Sequence, residues 1–424
     1  MSEDRVKCVN EGCNVTILAS TVLKYGGLCG GCSLKKDQAE QAEYIRKNRR
    51  KLNPYEGVTD AVEIIRIMHS PRKHDPLVEF AGPPLLANEL YGVLDDVQKT
   101  RLSAIAADAM RQGDRDIAEE IGKSLATLTD HPLDSMLEAW LDRGHLWPSI
   151  TFRKAGSRIR DRVVATMQGE NADINLVLSA LAWIGDSEVE RLFREWEANP
   201  PLWRSRLHVG PALYAHVAGW ELSESQRRKL FHDECLAISV VEPNDADPTI
   251  SLVRKTTERC PWCETQLVHL VELDLRDPRF AFLECTGDVL PVLTCERCTC
   301  FTSHFFARID DDGSARLHAS NTRPEWLPED LDESEIGPWH AMPVALKPRP
   351  AIQAADWCMS LPTSQVGGMP SWVQDTAYPS CPDCQRTMRF IAQLDNENFP
   401  FNEGIFYAFL CASCRTTATA YQQT

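Results

Sequence analysis

The cysteines are the sequence feature that most constrains this chain, because most of its 16 cysteines stand in close pairs. Two such pairs on either side of strand-like segments are typical of a small zinc site, since tetrahedral Zn²⁺ takes four thiolates and each tight knuckle supplies two. The sequence therefore predicts about three structural zinc ions. The predicted ligands form three sets: Cys8, Cys13, Cys29 and Cys32; Cys260, Cys263, Cys295 and Cys298; and Cys381, Cys384, Cys411 and Cys414.

Four cysteines lie outside these sets. Cys285 and Cys300 are close to the second set, and either is an ordinary buried thiol or replaces one of the four ligands. We favour the paired knuckles as the ligands, because they repeat the pattern of the third set. Cys235 and Cys358 have apolar sequence neighbours and no basic activator, which predicts buried and inert thiols.

The composition is that of a soluble globular protein, with 43% hydrophobic and 25% charged residues over 424 positions. This length is enough for roughly two to four domains. The opening Met-Ser-Glu-Asp-Arg contains no apolar signal core, and no apolar run approaches the ~18–20 residues that a membrane span requires. We therefore expect a cytoplasmic protein without a membrane partner, a setting in which paired cysteines bind metal rather than form disulfides.

The order of patterns along the chain predicts a multidomain α+β protein. Residues 1–53 read as a small zinc module with a strand at Val15–Leu23 and a connecting helix at Leu34–Leu52. Residues 250–345 read as a β-rich zinc-ribbon domain, in which Phe305–Ile309 and Ser314–His318 form a hairpin around an Asp-Gly turn. Residues 346–424 read as a second zinc-ribbon module, and a strap rich in Pro and acidic residues at 324–350 joins the two ribbons.

Residues 54–242 have the apolar periodicity of helices. Two helix pairs are each joined by a Gly-Asp turn, at Gly113-Asp114 and at Gly185-Asp186. In such a turn the glycine ends one helix and the aspartate can cap the next. The two turns are 72 residues apart, which fits two intervals of about 36 residues and predicts a short HEAT-type α-solenoid.

The net charge of −16 is unevenly distributed along the chain. Lys and Arg number 10 against 8 Asp and Glu in residues 1–60, 21 against 28 in 61–242, and 14 against 25 in 243–424. An acidic field repels nucleic acid and anionic lipid and steers a basic partner. The basic run Arg46–Lys51 next to a zinc module could instead hold phosphates. We favour a solvated connecting helix there, because no aromatic residue is interleaved for base stacking.

The last sixty residues carry a more specific pattern. The segment Gly367–Trp372 reads Gly-Gly-x-Pro-x-Trp and is followed by a Cys-x-x-Cys knuckle, a Phe-x-x-Gln strand at Phe390–Gln393 and a terminal cysteine pair. In these residues the chain resembles the YwqG-like family and, within that wider group, proteins of the programmed-cell-death-2 type.

The resemblance implies a β-rich, zinc-stabilised module that binds other proteins. Eukaryotic relatives resemble dedicated chaperones of a ribosomal protein, and bacterial members are often immunity proteins beside secreted toxins. On this basis we expect partner contacts at Gly367, Gly368, Pro370, Trp372 and Gln374. The alternative is packing, since two glycines permit a tight turn, proline ends strand pairing and tryptophan covers a core.

No sequence motif indicates an enzyme. Four thiolates close each predicted zinc site, whereas catalytic zinc keeps one position open. A phosphate-binding loop, a Gly-x-Ser-x-Gly turn and a His-Glu-x-x-His helix are all missing from the sequence. We therefore predict a non-enzymatic immunity protein that neutralises a basic toxin by direct binding. The alternatives are a nucleic-acid-binding zinc protein and a chaperone for a basic ribosomal protein.

Overall fold

The computed structural model describes residues 5–169, 172–223, 226–328, 341–356, 361–395 and 404–423. Its mixture of helices and sheets confirms the α+β class. The chain divides into two compact units, Met1–Leu86 and Ala87–Thr424, which are described separately below. Within the described ranges, no helix is both long enough and apolar enough to cross a bilayer.

The first unit contains two small sheets and three helices within residues 5–86. Strands β1 and β2 are antiparallel, and β3 and β4 are parallel. The elements in chain order are β1 (Arg5–Lys7), β2 (Thr16–Leu18), α1 (Ala19–Tyr25), α2 (Gly30–Asn48), β3 (Arg50–Leu52), α3 (Ala61–His69) and β4 (Val78–Phe80).

Two expectations for this unit were wrong in detail. Only the first part of the predicted strand is extended, and the chain then turns into helix α1, which ends at Gly26 with a left-handed φ of 60°. Helix α2 begins four residues before Leu34, because the Cys29 thiol accepts a hydrogen bond from the Cys32 N–H at 3.4 Å and so caps its first turn. The end of the predicted helix is strand β3 instead, since it pairs with the distant β4.

The second unit begins with seven helices among its described residues. They are α4 (Ala87–Gly92), α5 (Asp96–Gln112), α6 (Arg115–Leu128), α7 (Asp134–Leu141), α8 (Ser157–Thr166), α9 (Ile174–Ile184) and α10 (Ser187–Ala198).

Both Gly-Asp turns join helices as predicted. Gly113 ends α5 with φ 94°, and Gly185 ends α9 with φ 51°. Asp186 caps α10 by accepting a hydrogen bond from the Val189 N–H at 2.9 Å, whereas Asp114 forms no side-chain cap. A solenoid is not confirmed, because α7, a short 3-10 turn and α8 separate the two helix pairs instead of a third pair of the same kind.

The rest of the second unit is β-rich. Its strands are β5 (Trp220–Leu222), β6 (Arg227–Lys229), β7 (Cys235–Val240), β8 (Ile250–Arg259), β9 (Gln266–Asp274), β10 (Val289–Thr294), β11 (Phe305–Ile309), β12 (Ala315–Leu317), β13 (Val344–Pro348), β14 (Gln365–Gly367), β15 (Arg389–Asp395), β16 (Ile405–Cys411) and β17 (Thr416–Gln422). Strands β5 and β6 form a hairpin, and β10-β9-β8 form a three-stranded antiparallel sheet. The largest sheet has the order β12-β11-β17-β16-β15-β14-β7-β13.

This eight-stranded sheet crosses the predicted domain boundaries. It takes β7 from before residue 242, β11 and β12 from the predicted 250–345 domain, and β14 to β17 from the predicted 346–424 module. One hydrophobic cluster also joins the two larger sheets through residues such as Leu236, Val271 and Leu394. The predicted β11–β12 hairpin is confirmed by the bond from the Asp310 N–H to the Ser314 carbonyl at 2.8 Å. Residues 329–340 of the predicted strap lie outside the described residues.

Candidate metal centres

The twelve predicted ligands come together as three cysteine tetrads. Within each tetrad all four sulfur atoms lie within 4.8 Å of one another. Individual separations are 3.8 Å for Cys13–Cys29, 3.5 Å for Cys263–Cys295 and 3.7 Å for Cys384–Cys411. A tetrahedral zinc ion with bonds of ~2.3 Å places its sulfur ligands ~3.8 Å apart, whereas a disulfide requires ~2.05 Å. All cysteines in the described ranges are free, so the geometry fits metal binding.

The first tetrad joins the β1–β2 hairpin to the start of α2. The Cys29 N–H donates to the Cys8 sulfur at 3.3 Å, and the Cys32 N–H donates to the Cys29 sulfur at 3.4 Å. Together with a bond from the Asn10 backbone, the Cys29 bond lowers the pKa of Cys8 to about 7. Backbone donors of this kind stabilise the thiolate, which is the form that binds metal.

The hydrophobic surroundings of the first tetrad are small. Among the residues that the structure describes, Ile17 is the one buried member of its cluster that is not a cysteine ligand, and Val22 and Leu28 add partly buried contacts. Helix α2 is 19 residues long and buries none of them. Most of what is buried here therefore belongs to the ligands themselves.

The second tetrad lies at one end of the three-stranded sheet. Cys260 and Cys263 occupy the turn between β8 and β9, and Cys295 and Cys298 follow β10. The Cys260 and Cys298 sulfurs are 3.7 Å apart, and the Cys298 N–H donates to the Cys295 sulfur at 3.4 Å. Three of the four ligands are buried, so this tetrad is part of a larger core.

The cysteines near the second tetrad do not replace any of its ligands. Cys300 is exposed, and Cys285 is a half-buried thiol whose pKa is raised by burial. Cys235 is buried as predicted and donates from its sulfur to the Gln365 side-chain oxygen at 3.2 Å. Burial also raises the pKa of Cys235, which keeps the thiol protonated and unreactive. Cys358 lies outside the described residues.

The third tetrad lies at the end of the β15–β16 hairpin. Cys381 and Cys384 precede β15, Cys411 ends β16, and Cys414 lies in the turn into β17. Burial alone would raise the pKa of Cys384, but hydrogen bonds from the backbone and side chain of Arg386 lower it to about 6. Neutralising contacts of this kind support a thiolate.

Three of the Cys-x-x-Cys knuckles share a backbone conformation. The residue directly after each knuckle, Glu264, Gln385 or Arg415, has a left-handed φ between 53° and 60°. At two of them the N–H returns to the carbonyl of the first cysteine: Glu264 to Cys260 at 2.9 Å and Gln385 to Cys381 at 2.8 Å. This turn places both sulfur atoms of a knuckle on the same side of the backbone.

All three tetrads are made of cysteine alone among the residues that the structure describes. Four thiolates complete a tetrahedral shell, and no position is left for a water or a substrate. A metal bound here would stabilise the fold and would not contact a substrate.

The Gly-Gly-x-Pro-x-Trp segment is packed into the second unit. Gly367, Gly368 and Pro370 are buried. The glycines have φ values of 72° and 66°, and a Cβ at Gly367 would lie 2.3 Å from the Glu234 carbonyl oxygen. Only glycine combines this conformation with this close approach. These three residues therefore lie in the interior, and we no longer propose them as partner contacts.

The other two residues predicted for a partner also have internal roles. The Trp372 ring is half-buried and stacks on Tyr407 with centroids 4.8 Å apart. Gln374 is exposed, and its side-chain nitrogen donates to the Gln423 carbonyl at 2.7 Å. The packing interpretation describes this segment better than the partner-binding one.

Two buried glutamines hold this segment, and only Gln393 belongs to a pattern noted in the sequence. Gln393 accepts a hydrogen bond from the Ser371 N–H at 2.9 Å and donates to the Thr363 carbonyl at 2.8 Å. Gln422 accepts from the N–H groups of Val373 and Gln374 at 3.2 and 3.0 Å. The signal for Gln393 was a glutamine among the apolar residues of its strand, since a polar side chain in a core needs such partners. Gln422 ends a strand that contains three threonines and gave no such signal.

Comparison with known proteins finds a relative along the whole chain. A curated protein of Salmonella typhimurium (strain LT2), named Uncharacterized protein YpfL, is 35% identical over an alignment of 434 positions, which covers 100% of both chains. No protein-family model matches the chain, and no solved structure matches it. The resemblance of the last sixty residues to the YwqG-like family stays a prediction.

Proposed function

The chain belongs to the same family as the Salmonella protein YpfL, and we propose that it is a zinc-stabilised binding protein that catalyses no reaction. The observation that carries this proposal is the closed donor set of all three tetrads, each with four sulfur atoms within 4.8 Å. Four thiolates in tetrahedral proximity are the donor set that zinc prefers in structural sites. We assign one zinc ion to each tetrad.

The partner that we propose is a basic protein. Residues 87–424 contain 32 Lys and Arg against 50 Asp and Glu, while residues 1–86 contain 13 against 11. Each four-thiolate zinc site adds a formal charge of −2, because its ligands are deprotonated. The second unit therefore attracts cationic surfaces over long range and repels nucleic acid.

Nucleic-acid binding through the first unit is less well supported. Glu43 lies 2.6 Å from Lys47, and Glu79 lies 3.7 Å from Arg49 and 3.9 Å from Lys51. These carboxylates compensate part of the basic run on which that alternative depends. The pairs are exposed and individually weak, at ~0–1 kcal/mol. The low net charge of the first unit is therefore a stronger argument against nucleic-acid binding than any single pair.

Capture of the partner tests the proposal. The full chain, loaded with zinc and purified from its native host, should retain one protein at moderate salt, and mass spectrometry should identify it as basic. Cys411→Ser should lose the third metal ion and retain the partner less tightly, because that tetrad fastens the end of the large sheet. Cys300→Ser, at an exposed cysteine outside the tetrads, is the matched control and should retain it.

The identity of the captured protein distinguishes the two forms of binding that we predicted. A secreted toxin that loses activity in a one-to-one complex supports the immunity function, and a ribosomal protein supports the chaperone function. If no protein is retained from any extract at moderate salt, the binding proposal fails. Any reaction catalysed by the purified chain, with or without zinc, would contradict its non-catalytic part.

A further inference from the structure

The second unit contains a basic cavity beside the third tetrad, in contrast to its acidic character as a whole. The cavity has a volume of about 460 Å³ and lies between β6, the loop that follows it, and the beginning of β15. One carboxylate, Glu284, is among its described lining residues. Five cationic side chains line it: Arg227, Arg228, Lys229, Arg386 and Arg389.

Two of these cations have other structural roles. Arg386 lies next to the tetrad, where it forms a hydrogen bond with Ser413 and balances the thiolate charge. Arg227 lies over the Trp220 ring, 4.4 Å from its centroid, and donates to the Gly185 carbonyl. The remaining cations are the ones available to a ligand.

The remaining cations differ in how firmly they are held. Arg228 pairs with Glu221 at 2.6 Å, and that carboxylate is 19% exposed. Lys229 pairs with Asp233 at 2.7 Å and Arg389 with Glu284 at 3.3 Å, and these carboxylates are 70% and 73% exposed. Exposed pairs contribute only ~0–1 kcal/mol, so Lys229 can turn toward a bound anion at small cost. Arg389 also donates to the Phe231 carbonyl at 3.3 Å and already lines the cavity.

Two buried nitrogen atoms at this cavity have no hydrogen-bond partner among the described residues. They are Nε of Arg389 and Nε2 of His232, whose side chain is 3% exposed. Buried polar atoms are nearly always paired in native proteins. An unpaired donor on a guanidinium therefore points to an oxyanion that is bound in the working protein.

His232 is a second polar group of this cavity that is available to a ligand. Burial and the neighbouring Arg389 lower the pKa of His232 to about 3, so the ring is neutral at physiological pH. A neutral ring has one nitrogen that donates and one that accepts, so Nε2 can form a hydrogen bond with a ligand in either tautomer. A phosphate monoester is mostly a dianion at neutral pH and offers three oxygens to the donors of this cavity.

We propose that this cavity binds a phosphate monoester, with Arg389 and Lys229 contacting its oxygens and Nε2 of His232 forming a hydrogen bond with its phosphoryl group. The cavity volume lies within the usual range for small-molecule sites, ~300–1,000 Å³, and suits a ligand of mononucleotide size. This site is independent of the proposed capture of a protein partner.

Calorimetric titration of the zinc-loaded full chain tests the site, with adenosine 5′-monophosphate and inorganic phosphate as probes. Binding of the monophosphate should weaken at least tenfold in Arg389→Gln and in Lys229→Gln. Lys229 is about half exposed, so its variant keeps the test valid if Arg389→Gln does not fold. Arg276→Gln removes the same charge from an exposed turn and should leave the affinity unchanged.

The probes also separate the sources of the phosphoryl group. Equal affinity for inorganic phosphate and for the monophosphate supports a site that recognises the phosphoryl group alone, and tighter binding of the monophosphate supports an ester ligand. Sulfate or succinate binding as tightly as phosphate overturns the proposal. So does an absence of binding, or an affinity that Arg276→Gln reduces as much as Arg389→Gln does.

Discussion

The first and third cysteine tetrads have the same ligands and similar sulfur separations, 3.8 and 3.7 Å, but different surroundings. The cluster at the first tetrad has Ile17 as its one buried residue apart from cysteine ligands. The cluster at the third includes large side chains such as Tyr378, Phe390 and Phe409. In the first region the hydrophobic cluster is too small to stabilise the fold by itself, and a bound metal would supply the missing stability. In the third it would fasten the end of a sheet that already has a hydrophobic core.

Removal of metal should give the largest effect and should separate the two regions. With a chelator, amide exchange should become fast in β1, β2 and α1, while β15 to β17 stay protected. The reason is that structural zinc contributes ~10–16 kcal/mol of apparent binding energy in small zinc domains, which have little else to hold them. Hydrogen exchange with mass spectrometry measures both regions in one sample. Equal loss of protection in both would show that the apparent difference in cores has no energetic meaning.

Single ligand substitutions should sharpen the same comparison. Native mass spectrometry should show about three zinc ions on the intact chain, and one fewer in both Cys29→Ser and Cys411→Ser. Cys29→Ser should unfold the hairpin of the first unit, whereas Cys411→Ser should lower the stability of the large sheet without unfolding it.

Cys300→Ser is the control for both substitutions, because this exposed cysteine belongs to no tetrad. It should keep all bound metal and the full melting temperature. Metal loss in this variant, or retention of all the metal in Cys29→Ser, would contradict the ligand assignment.

A smaller effect is expected from the packed glycine segment of the second unit. Gly367→Ala places a Cβ 2.3 Å from the Glu234 carbonyl oxygen at a φ of 72°, and we expect it to cost at least ~2 kcal/mol of unfolding free energy. Gly113→Ala is the matched control, because its φ is 94° but no other described segment has an atom within 4 Å of the new Cβ. Urea unfolding of both variants should show the larger loss at Gly367. Equal losses would mean that the backbone conformation alone matters and that the close packing does not.

The smallest expected effect comes from an ion pair that does not depend on metal. Arg279 donates to Asp247 at 2.8 Å and lowers the pKa of that carboxyl to about 2. A depressed pKa contributes stability above the unfolded value of ~3.9, and the contribution is lost as the pH falls toward 2. Asp247→Asn should therefore cost ~1–2 kcal/mol at pH 7.

The difference between wild type and Asp247→Asn should shrink steadily from pH 5 to pH 2 in urea unfolding experiments. Acid also releases metal from the tetrads, but this loss is common to both proteins and cancels in the difference. A gap that stays constant with pH would show that the carboxylate charge is not the stabilising feature.

Much of the candidate site was predictable because a Cys-x-x-Cys knuckle is a local structure. The three ligand sets and the hairpin at β11 and β12 depend on residues close in sequence or on spacing that repeats. The Gly-Asp turns at Gly113 and Gly185 were predictable for the same reason, since a left-handed glycine ends a helix through local geometry.

Other expectations failed where distant segments decide the outcome. Arg50–Leu52 has the composition of a helix end but forms a strand, because Val78–Phe80 pairs with it. The residues Gly367, Gly368 and Pro370 were expected at a surface, yet they are buried by packing against the segment around Glu234 and Cys235. The glycine motif allowed packing as an alternative, but neither propensity nor motif tells which distant segment supplies the contacts.

The sequence by itself determined that this chain makes three four-cysteine sets and belongs to an α+β class. Cysteine spacing and hydrophobic periodicity can both be read from short stretches of sequence. Only the tertiary structure decided that strand Cys235–Val240, at the end of the predicted helical region, joins the sheet whose strand β16 ends at Cys411 of the third tetrad. It also decided that cations distant in sequence, at Arg228–Lys229 and Arg389, meet around one cavity. The physical reason is that strand pairing and the burial of charge depend on which segments meet in space, and that choice is made by the whole core.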